Sequence, residues 1–418
     1  MIADKVSLAV VIPTRNRASL AIDACESLLR QTACSSHVFV SDNSTDPAER
    51  HRLAEYCGRA DQQRITYLRP PEPQVLPTHW DWALRTAMER SRATHFTLHY
   101  DRRITKPGAL AALCEVIAAF PGDVVTWTLD LIVTSAGRYT VWQTPWDGRV
   151  SRIETSRVIE MTATGELTRM AQAFPILSNC AIPRNVLAAI AERFGSVCDS
   201  TGPDSCFMFR FCAIYDHYIH FDRTIGIVYA THRSTEVGYL RGKGGDFDDF
   251  AKSWGDRAWL SAAPIPGLTL GLNMLFHEYE LIRRATGLPG FKQIERNGYC
   301  RALASALTAI DDPARVGELR QVLVAHGCKQ SDVGEAEEKW ARRLLRRGAK
   351  WIRRGDSRVL LRTLHTLMGH ISGFSFADEQ TALRQSMAWS RKPLPANPAR
   401  RLRAGVDITP ALPSGAAV

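Results

Sequence analysis

Two polar segments, each following an apolar run, carry the first candidate ligand-binding residues. They are "VVIPTRNR" at 10–17 and "FVSDNSTD" at 39–46. Asp42 can accept a hydrogen bond from a nucleobase N–H or a ribose hydroxyl, and Thr14 can offer backbone and hydroxyl contacts. The predicted nucleotide-binding residues of the two segments are Pro13, Thr14, Arg17, Asp42 and Ser44. Serine, aspartate and asparagine are also good turn and helix N-cap residues, so these segments alone leave a purely structural role open.

The elements that would position these residues alternate between strand and helix. We predict strands over 7–12, 37–41, 64–69 and 95–99, and helices over 19–31, 47–58, 79–91 and 107–119. This alternation predicts a parallel sheet covered by helices, and the carboxyl ends of its strands border the crevice where such sheets bind ligands. The sequence contains neither a GxGxxG motif after the first strand nor a GxxxxGK[ST] motif. A nucleotide would therefore be held by side chains at the strand ends rather than by a glycine-rich phosphate loop.

After residue 120 the pattern changes to short strands joined by turns, which predicts a mixed sheet up to about 155. Helical material around a loop is predicted over 166–195, and a strand over 223–232. We therefore predict an α/β fold with a mixed sheet flanked by helices. Its predicted parts are a ligand-binding domain at 1–240, a glycine-rich linker at 241–254, a mostly helical region at 255–392 and a disordered tail at 393–418.

Composition restricts the class of protein. Hydrophobic residues make up 45% of the 418 residues and charged residues 23%, which is ordinary for a soluble globular chain. No secretory signal is predicted, and the longest weakly polar stretch, 108–120, is too short to span a bilayer. Ten cysteines without CxxC spacing predict reduced, buried thiols and a cytoplasmic protein.

Four segments in order resemble the family-2 glycosyltransferases, which have a GT-A fold. The first is "VVIPTRNRASL" with "ESLLRQT" and "FVSDNSTD", and the second is "HWDWAL" at 79–84. The others are "THFTLHYDRRITKPGAL" at 94–110, which resembles the strand and acidic metal motif, and "TGPDSCFMFRF" at 201–211. The likeness covers roughly residues 6–235 and implies a Rossmann-like mixed sheet of the GT-A type.

The resemblance also implies an activity and roles for individual residues. Asp42 and Thr14 match positions that contact the nucleoside of a nucleotide-sugar donor. Asp204 matches the base that removes the proton from an acceptor hydroxyl, as in an inverting transfer, for which one carboxylate suffices. The implied acceptor is a hydroxyl of a glycan or lipid-linked glycan, as in surface polysaccharide synthesis. The alternative is a catalytically silent protein that binds a sugar nucleotide or a glycan.

The sequence departs from the family at the metal motif, where the usual acidic cluster reads Tyr100, Asp101, Arg102 and Arg103. Three alternatives follow. Arg102 or Arg103 could bind the diphosphate directly and replace the metal, because guanidinium groups form bidentate bonds to phosphate. Asp101 could still bind Mg²⁺ or Mn²⁺, helped by His232 or by the donor. Thirdly, catalysis could have been lost. The first alternative, metal-independent transfer, is slightly favoured.

The carboxy-terminal part carries the basic charge: residues 331–418 hold 16 Lys and Arg against 8 Asp and Glu, which leaves +2 of the net +10 for the first 330 residues. A helix predicted over 339–354 has one apolar and one basic face, which favours docking on the inner face of an anionic membrane. The predicted membrane-contacting residues are Trp340, Arg343, Leu344, Arg347, Trp351 and Arg354. Packing of the apolar face on the protein, or binding of an acidic partner, remains open. No nucleic-acid partner is expected.

Overall fold

The computed structural model describes most of the chain up to residue 331 and a short segment near residue 380. The described residues are 6–31, 35–61, 63–135, 138–142, 144, 146, 148–167, 173–229, 260–268, 270–307, 310, 312–331, 375–376 and 378–389. His232, the linker at 241–254, the helix at 339–354 and the tail at 393–418 lie outside these residues. The predictions made for them, including membrane docking, stay predictions.

The first part of the chain is the predicted alternation of strands and helices. Its elements are β1 (Ser7–Thr14), α1 (Ala18–Leu29), β2 (Ser35–Asp42), α2 (Pro47–Arg59), β3 (Ile65–Leu68), α3 (Leu76–Arg90), β4 (His95–Leu98), β5 (Arg103–Thr105) and α4 (Ala109–Ala119). β1 pairs in parallel with both β2 and β4, and β2 pairs in parallel with β3. The carboxyl ends of β1, β2 and β4 therefore meet at one edge of the sheet.

The second part makes the sheet mixed, as predicted. It contains β6 (Val125–Ser135), β7 (Arg138–Trp142), β8 (Val150–Glu154), α5 (Thr155–Thr164), β9 (Cys180–Pro183), α6 (Arg184–Phe194), α7 (Pro203–Cys212) and β10 (His217–Val228). β9 joins the two parts, because it pairs antiparallel with both β4 and β6. β10 pairs in parallel with β6 and antiparallel with β5 and β8. The fold class, an α/β mixed sheet flanked by helices and followed by a helical region, is confirmed.

The strand predicted over 223–232 begins six residues earlier, at His217. The segment "HYIHFD" looks polar in sequence, yet His220 and Asp222 are buried. His220 Nδ1 lies 2.9 Å from Thr126 Oγ1 of the neighbouring strand β6. Pairing of polar groups across the sheet, which spacing along the chain does not reveal, lets these residues enter the interior.

The region after 255 packs on the sheet domain through helices α8 (Gly271–Thr286) and α9 (Arg296–Ala306), followed by α10 (Pro313–Ala325) and α11 (Glu379–Trp389). Its residues share one hydrophobic cluster with those of α7: Phe209, for example, lies 5.3 Å from Tyr279, ring centroid to ring centroid. The region also contains a short strand, β11 (Ser375–Phe376), which pairs with β7. None of the described helices is long and apolar enough to cross a membrane.

The prediction of reduced cysteines is wrong for three of the described cysteines, of which Cys300 and Cys328 form a disulfide with each other. Cys300 lies on α9, and Cys328 follows α10, 28 residues later. Cys114 is also disulfide-bonded. Six other cysteines are free and buried: Cys25, Cys57, Cys180, Cys198, Cys206 and Cys212. The spacing of Cys300 and Cys328 in the sequence carries no signal, since only the packing of α9 beside α10 brings their Cα atoms to 5.5 Å.

Helices α5 and α9 approach so closely that only glycine fits between them. A Cβ atom on Gly298, in the first turn of α9, would lie 1.8 Å from the backbone oxygen of Thr164. On the other side, Gly165 ends α5 with a left-handed φ of +70°. The backbone amide of Glu295 donates to the carbonyl oxygen of Ala163 across the same contact, at 2.7 Å. This contact joins the carboxy-terminal helices to the sheet domain.

Gly298→Ala is therefore expected to destabilise the protein, because the added methyl group meets backbone that cannot move aside. We expect a loss of about 3 kcal/mol or more in the free energy of unfolding, measured in urea. Gly317→Ala on α10 is the matched control, since a Cβ there has no neighbour within 4 Å. It should gain about 1 kcal/mol from helix propensity alone. Equal effects of the two substitutions would contradict the close contact.

Candidate functional site

The loops that follow β1 and β2 are fastened to each other by Asn16. Its Oδ1 accepts from the backbone amides of Thr45 and Asp46, each at 2.9 Å, and its own backbone amide donates to Ser44 Oγ at 2.9 Å. Asn16 has a left-handed φ of 54°, a conformation that asparagine tolerates better than most residues. The predicted site residue Ser44 thus has a structural contact that holds the two strand ends together.

Asp42, the last residue of β2, is fully buried and has partners on both oxygens. Oδ1 accepts from the backbone amide of Ser44 at 2.8 Å, and Oδ2 accepts from the Tyr67 hydroxyl at 2.7 Å. The Arg69 guanidinium lies 3.7 Å from Oδ2. Burial and the bond to Asp42 raise the pKa of Tyr67, so this hydroxyl stays protonated and remains a donor. A carboxylate oxygen can accept two bonds, so each oxygen keeps one unused acceptor position, although the residue has no exposed surface.

A neutral histidine lies beside Asp42. His79 Nε2 is 2.8 Å from Ser41 Oγ, and burial lowers the pKa of His79 to about 3. The cation of Arg15 adds to this lowering. Nε of Arg15 is buried and has no hydrogen-bond partner among the described residues. Arg15 directly follows β1 and is thus a cation at the strand edge that lacks a carboxylate partner within the described part of the chain.

Asp101, which follows β4, is held by two residues from the end of β1. Thr14 Oγ1 donates to Asp101 Oδ2 at 2.8 Å, and Arg17 Nε lies 2.9 Å from the same oxygen. Only 3% of the Asp101 side chain is exposed, against 13% for Arg17. Arg17, predicted to contact the nucleotide, forms an ion pair with Asp101.

These contacts bear on the predicted metal site. A Mg²⁺ or Mn²⁺ ion between substrate phosphates needs oxygen ligands, usually one or two carboxylates. The carboxylate at this position is already paired with a guanidinium, which repels a second cation. Among the residues that the structure describes, no group of three or more His, Cys, Asp and Glu could hold a metal ion. The described residues around Asp101 therefore do not fit a bound divalent cation.

Asp204 lies in the first turn of α7 and is bound by Tyr100 and Ser178. Its Oδ2 accepts from the Tyr100 hydroxyl at 2.6 Å, and its Oδ1 accepts from the backbone amide of Ser178 at 2.8 Å. Ser178 Oγ donates to the Tyr100 oxygen at 2.8 Å, so the three residues form a closed network. Burial, followed by the charge of Asp204, raises the pKa of Tyr100 and keeps it a donor. Asp204 itself is half-buried, so its carboxylate borders the solvent.

The two arginines of the YDRR segment have different positions. Arg103 is 1% exposed, and its guanidinium donates to the Ser178 carbonyl oxygen at 2.6 Å and to Asn179 Oδ1 at 3.0 Å. Burial lowers its pKa to about 10, so it stays charged at neutral pH. The expectation that Arg103 binds a diphosphate does not fit this interior position. Arg102 is half-buried, with its guanidinium 5.4 Å from the centre of the Tyr100 ring.

The separate contacts form one line along the carboxyl edge of the sheet. Thr14 is the register partner of Asp42, and it donates to Asp101. Asp101 follows Tyr100 in the chain, and Tyr100 donates to Asp204. The two acids at positions 42 and 204, remote in sequence, are thus connected through three intervening residues. Sequence reasoning missed Tyr67, Arg69 and Ser178, which contact the two acids and lie outside the four segments. It also gave no role to Arg15 and His79, although both lie within quoted segments.

Comparisons with known proteins give only distant similarity. No protein-family model and no curated protein sequence matches the chain. Similar solved structures include that of S. aureus TarS, with 11% identity, a TM-score of 0.40 and 80% of this chain covered. This chain spans 55% of that TarS chain. They also include two structures of TarS 1-349, one alone and one in complex with UDP-GlcNAc. Both are 13% identical to this chain, with TM-scores of 0.40 and 0.41, respectively. Each comparison covers 81% of this chain and 92% of the TarS chain. Similarity at this level does not establish a shared activity.

Asn16→Ala is expected to loosen the strand edge, because it removes the side-chain bonds between the two loops and leaves two backbone amides unpaired. The expected loss in the free energy of unfolding is about 0.5–1.5 kcal/mol, because Thr45 and Asp46 are exposed and water can bind their amides. Asn16→Asp retains the oxygen that accepts from Thr45 and Asp46 and should lose less. Chemical denaturation of the three proteins measures the difference. Unchanged stability of Asn16→Ala would show that the two loops are held by other contacts.

Proposed function

We propose that this protein is an inverting glycosyltransferase that moves a sugar from a nucleotide-sugar donor to a hydroxyl of a glycan or lipid-linked glycan. The observation that carries the proposal is the line of contacts from Asp42 through Thr14, Asp101 and Tyr100 to Asp204. It provides a buried acid for a nucleoside and a half-exposed acid for proton transfer on the same edge of the sheet. Three of the four sequence segments that resemble family-2 glycosyltransferases contain these residues.

Asp204 is assigned the role of general base in this proposal. The oxygen of the acceptor hydroxyl attacks the anomeric carbon of the donor sugar, and its proton passes to the carboxylate of Asp204. The bond from the anomeric carbon to the phosphate oxygen breaks in the same step, and the nucleoside diphosphate leaves with that electron pair. Bonds from Tyr100 and Ser178 fix the carboxylate, so that an acceptor can approach only the remaining lone pairs.

The departing diphosphate needs positive charge, and this chain offers arginines for it. Arg15 has a buried Nε without a partner among the described residues, and Arg102 is half-buried beside Tyr100. We assign the diphosphate contact to Arg15, and to Arg102 because of its half-buried position in the YDRR segment, since Arg17 forms an ion pair with Asp101 and Arg103 lies in the interior. Guanidinium groups bind phosphate oxygens through charge-assisted bonds, so transfer would proceed without a divalent cation.

A second candidate function is that of a silent protein that binds a sugar nucleotide or a glycan. The ion pair between Arg17 and Asp101 favours it, because it occupies the carboxylate that would otherwise hold a metal. Donor hydrolysis separates the two functions, since a transferase leaks to water in the absence of acceptor. A panel of UDP-, GDP- and dTDP-sugars, followed by detection of the released nucleoside diphosphate, provides this test.

Asp204→Asn is expected to reduce donor turnover by about 10²–10⁴-fold, because the amide cannot accept the proton of the attacking hydroxyl or water. Binding of the free nucleoside diphosphate, measured by thermal shift, should be retained. Glu26→Gln is the control, since this acid is 45% exposed on α1 and forms an ion pair with Arg30 on the same helix. Turnover by Asp204→Asn at the wild-type rate would exclude Asp204 as the base.

Nucleoside diphosphate binding is expected to persist in EDTA and to depend on Arg15. Arg15→Gln should weaken the binding of UDP, or of whichever nucleoside diphosphate the panel selects, about tenfold by calorimetry, the effect of one lost charge-assisted bond. Arg30→Gln, which changes a 78% exposed side chain on α1, should leave affinity unchanged. If EDTA abolishes turnover and Mn²⁺ restores it, metal-independent transfer is refuted.

A further inference from the structure

The turn that precedes Asp204 is bound by a carboxylate from the carboxy-terminal region. Glu278, on α8, is 1% exposed. Its Oε1 accepts from the backbone amide of Gly202 and from Ser200 Oγ, both at 2.8 Å. Gly202 is the residue directly before α7, and Asp204 follows two positions later. A side chain from a different part of the fold therefore determines where α7 begins.

Gly202 packs closely against side chains of α8. A Cβ atom at this position would lie 2.8 Å from Cγ of Met274 and 3.5 Å from Cγ of Glu278, both on α8. The carbonyl oxygen of Gly202 accepts from the amide of Cys206 at 2.7 Å, a bond in the first turn of α7. If Glu278 releases the Gly202 amide, the first turn of α7 and Asp204 are free to shift together.

Few ionisable groups among the described residues face Glu278. From α7 and the preceding turn they are the cation of Arg210, the anion of Asp199 and the thiol of Cys206. On α8 itself, His277 is neutral at physiological pH because burial lowers its pKa to about 4, and Glu280 is paired with Arg283 and Arg284. Burial outweighs the bonds from Gly202 and Ser200 and the charge of Arg210, and it raises the pKa of Glu278 to about 7.

We propose that Glu278 is a positioning residue for Asp204, and that its ionised form holds the first turn of α7 more firmly than its protonated form. The catalytic part of this inference rests on the proposed function, whereas the positioning part does not. A carboxylate accepts from a backbone amide and a hydroxyl more strongly than a neutral carboxyl group does. The carboxy-terminal helices thereby make the proposed base sensitive to pH near neutrality.

The raised pKa of Glu278 determines how its protonation contributes to the pH dependence of protein stability. Because the folded state raises the pKa of Glu278, it binds more protons than the unfolded state between the ordinary glutamate value and about pH 7. Stability from this group is therefore present at low pH and is lost as pH rises through that window. Glu278→Gln keeps the accepting oxygen and does not titrate, so it should lose less melting temperature between pH 5 and pH 8 than the wild type does. Glu318→Gln on α10, where the acid is 66% exposed, is the control.

Hydrogen exchange of the backbone amides over 199–206 tests the positioning role without any substrate. At pH 8 the amides of Glu278→Gln should exchange faster than those of the wild type, and at pH 6 the two proteins should match. Equal exchange rates at pH 8 would overturn the positioning role. Because each comparison is made at one pH, the intrinsic dependence of exchange on pH cancels.

Donor hydrolysis tests the link to catalysis. Wild-type kcat should rise as pH increases through about 7, and Glu278→Gln should lack this step and fall about tenfold behind at pH 8. KM for the donor should be unchanged, because Glu278 contacts the turn before Asp204 and not the residues proposed to bind the nucleotide. Identical pH profiles would overturn the catalytic link. Absence of turnover in the wild type would instead refute the proposed function, and the exchange result would still decide whether Glu278 positions the turn.

Discussion

The ion pair between Arg17 and Asp101 determines the electrostatics of the whole strand edge. Thr14 and Arg17 both contact the same oxygen of Asp101, so the end of β1 is bound to the segment after β4. A buried carboxylate without such partners would be costly. With them, the position that resembles a metal ligand becomes a neutral unit, and positive charge for an anionic substrate has to come from other arginines. The YDRR segment and the isolated Arg15 are therefore parts of one arrangement.

A second consequence appears at Tyr100, where the resembling family has an acid. An acid at this position would lie next to Asp204 and repel it, whereas the tyrosine donates to it. Arg103 stabilises this arrangement, because its guanidinium donates to the Ser178 carbonyl oxygen. The Ser178 amide in turn donates to Asp204, and the Ser178 hydroxyl donates to Tyr100. Tyr100 and Arg103 thus make this segment a support for a single carboxylate, at positions where the family that it resembles has acids.

Local sequence signals were sufficient for β1 to β4, but not for β9 (Cys180–Pro183), which lies in a segment predicted to be helical around a loop. The apolar runs before Pro13 and Asp42 predicted β1 and β2, and parallel pairing then required both ends to meet at one edge. The same signals could not predict the partners of the acids. Tyr67 and Ser178 come from segments without a motif. The ion pair of Arg17 with Asp101 could not be predicted either, because the two residues are neighbours only in the folded chain. The strand at His217 and the disulfide of Cys300 escaped prediction for the same reason, since long-range packing creates both.

The region around Asp204 shows why the carboxy-terminal helices belong to the site. The backbone on both sides of this acid is irregular: residues 177–179 form a single turn, and Gly202 lies outside α7. Buried amides and carbonyls in such segments need partners, which regular pairing does not supply. Arg103 provides one for Ser178, and Glu278 provides one for Gly202. Each support carries an ionisable group into the interior, so the position of Asp204 depends on charges in two separate parts of the chain. A sheet domain without α8 would leave the amide of Gly202 unpaired and its turn unsupported.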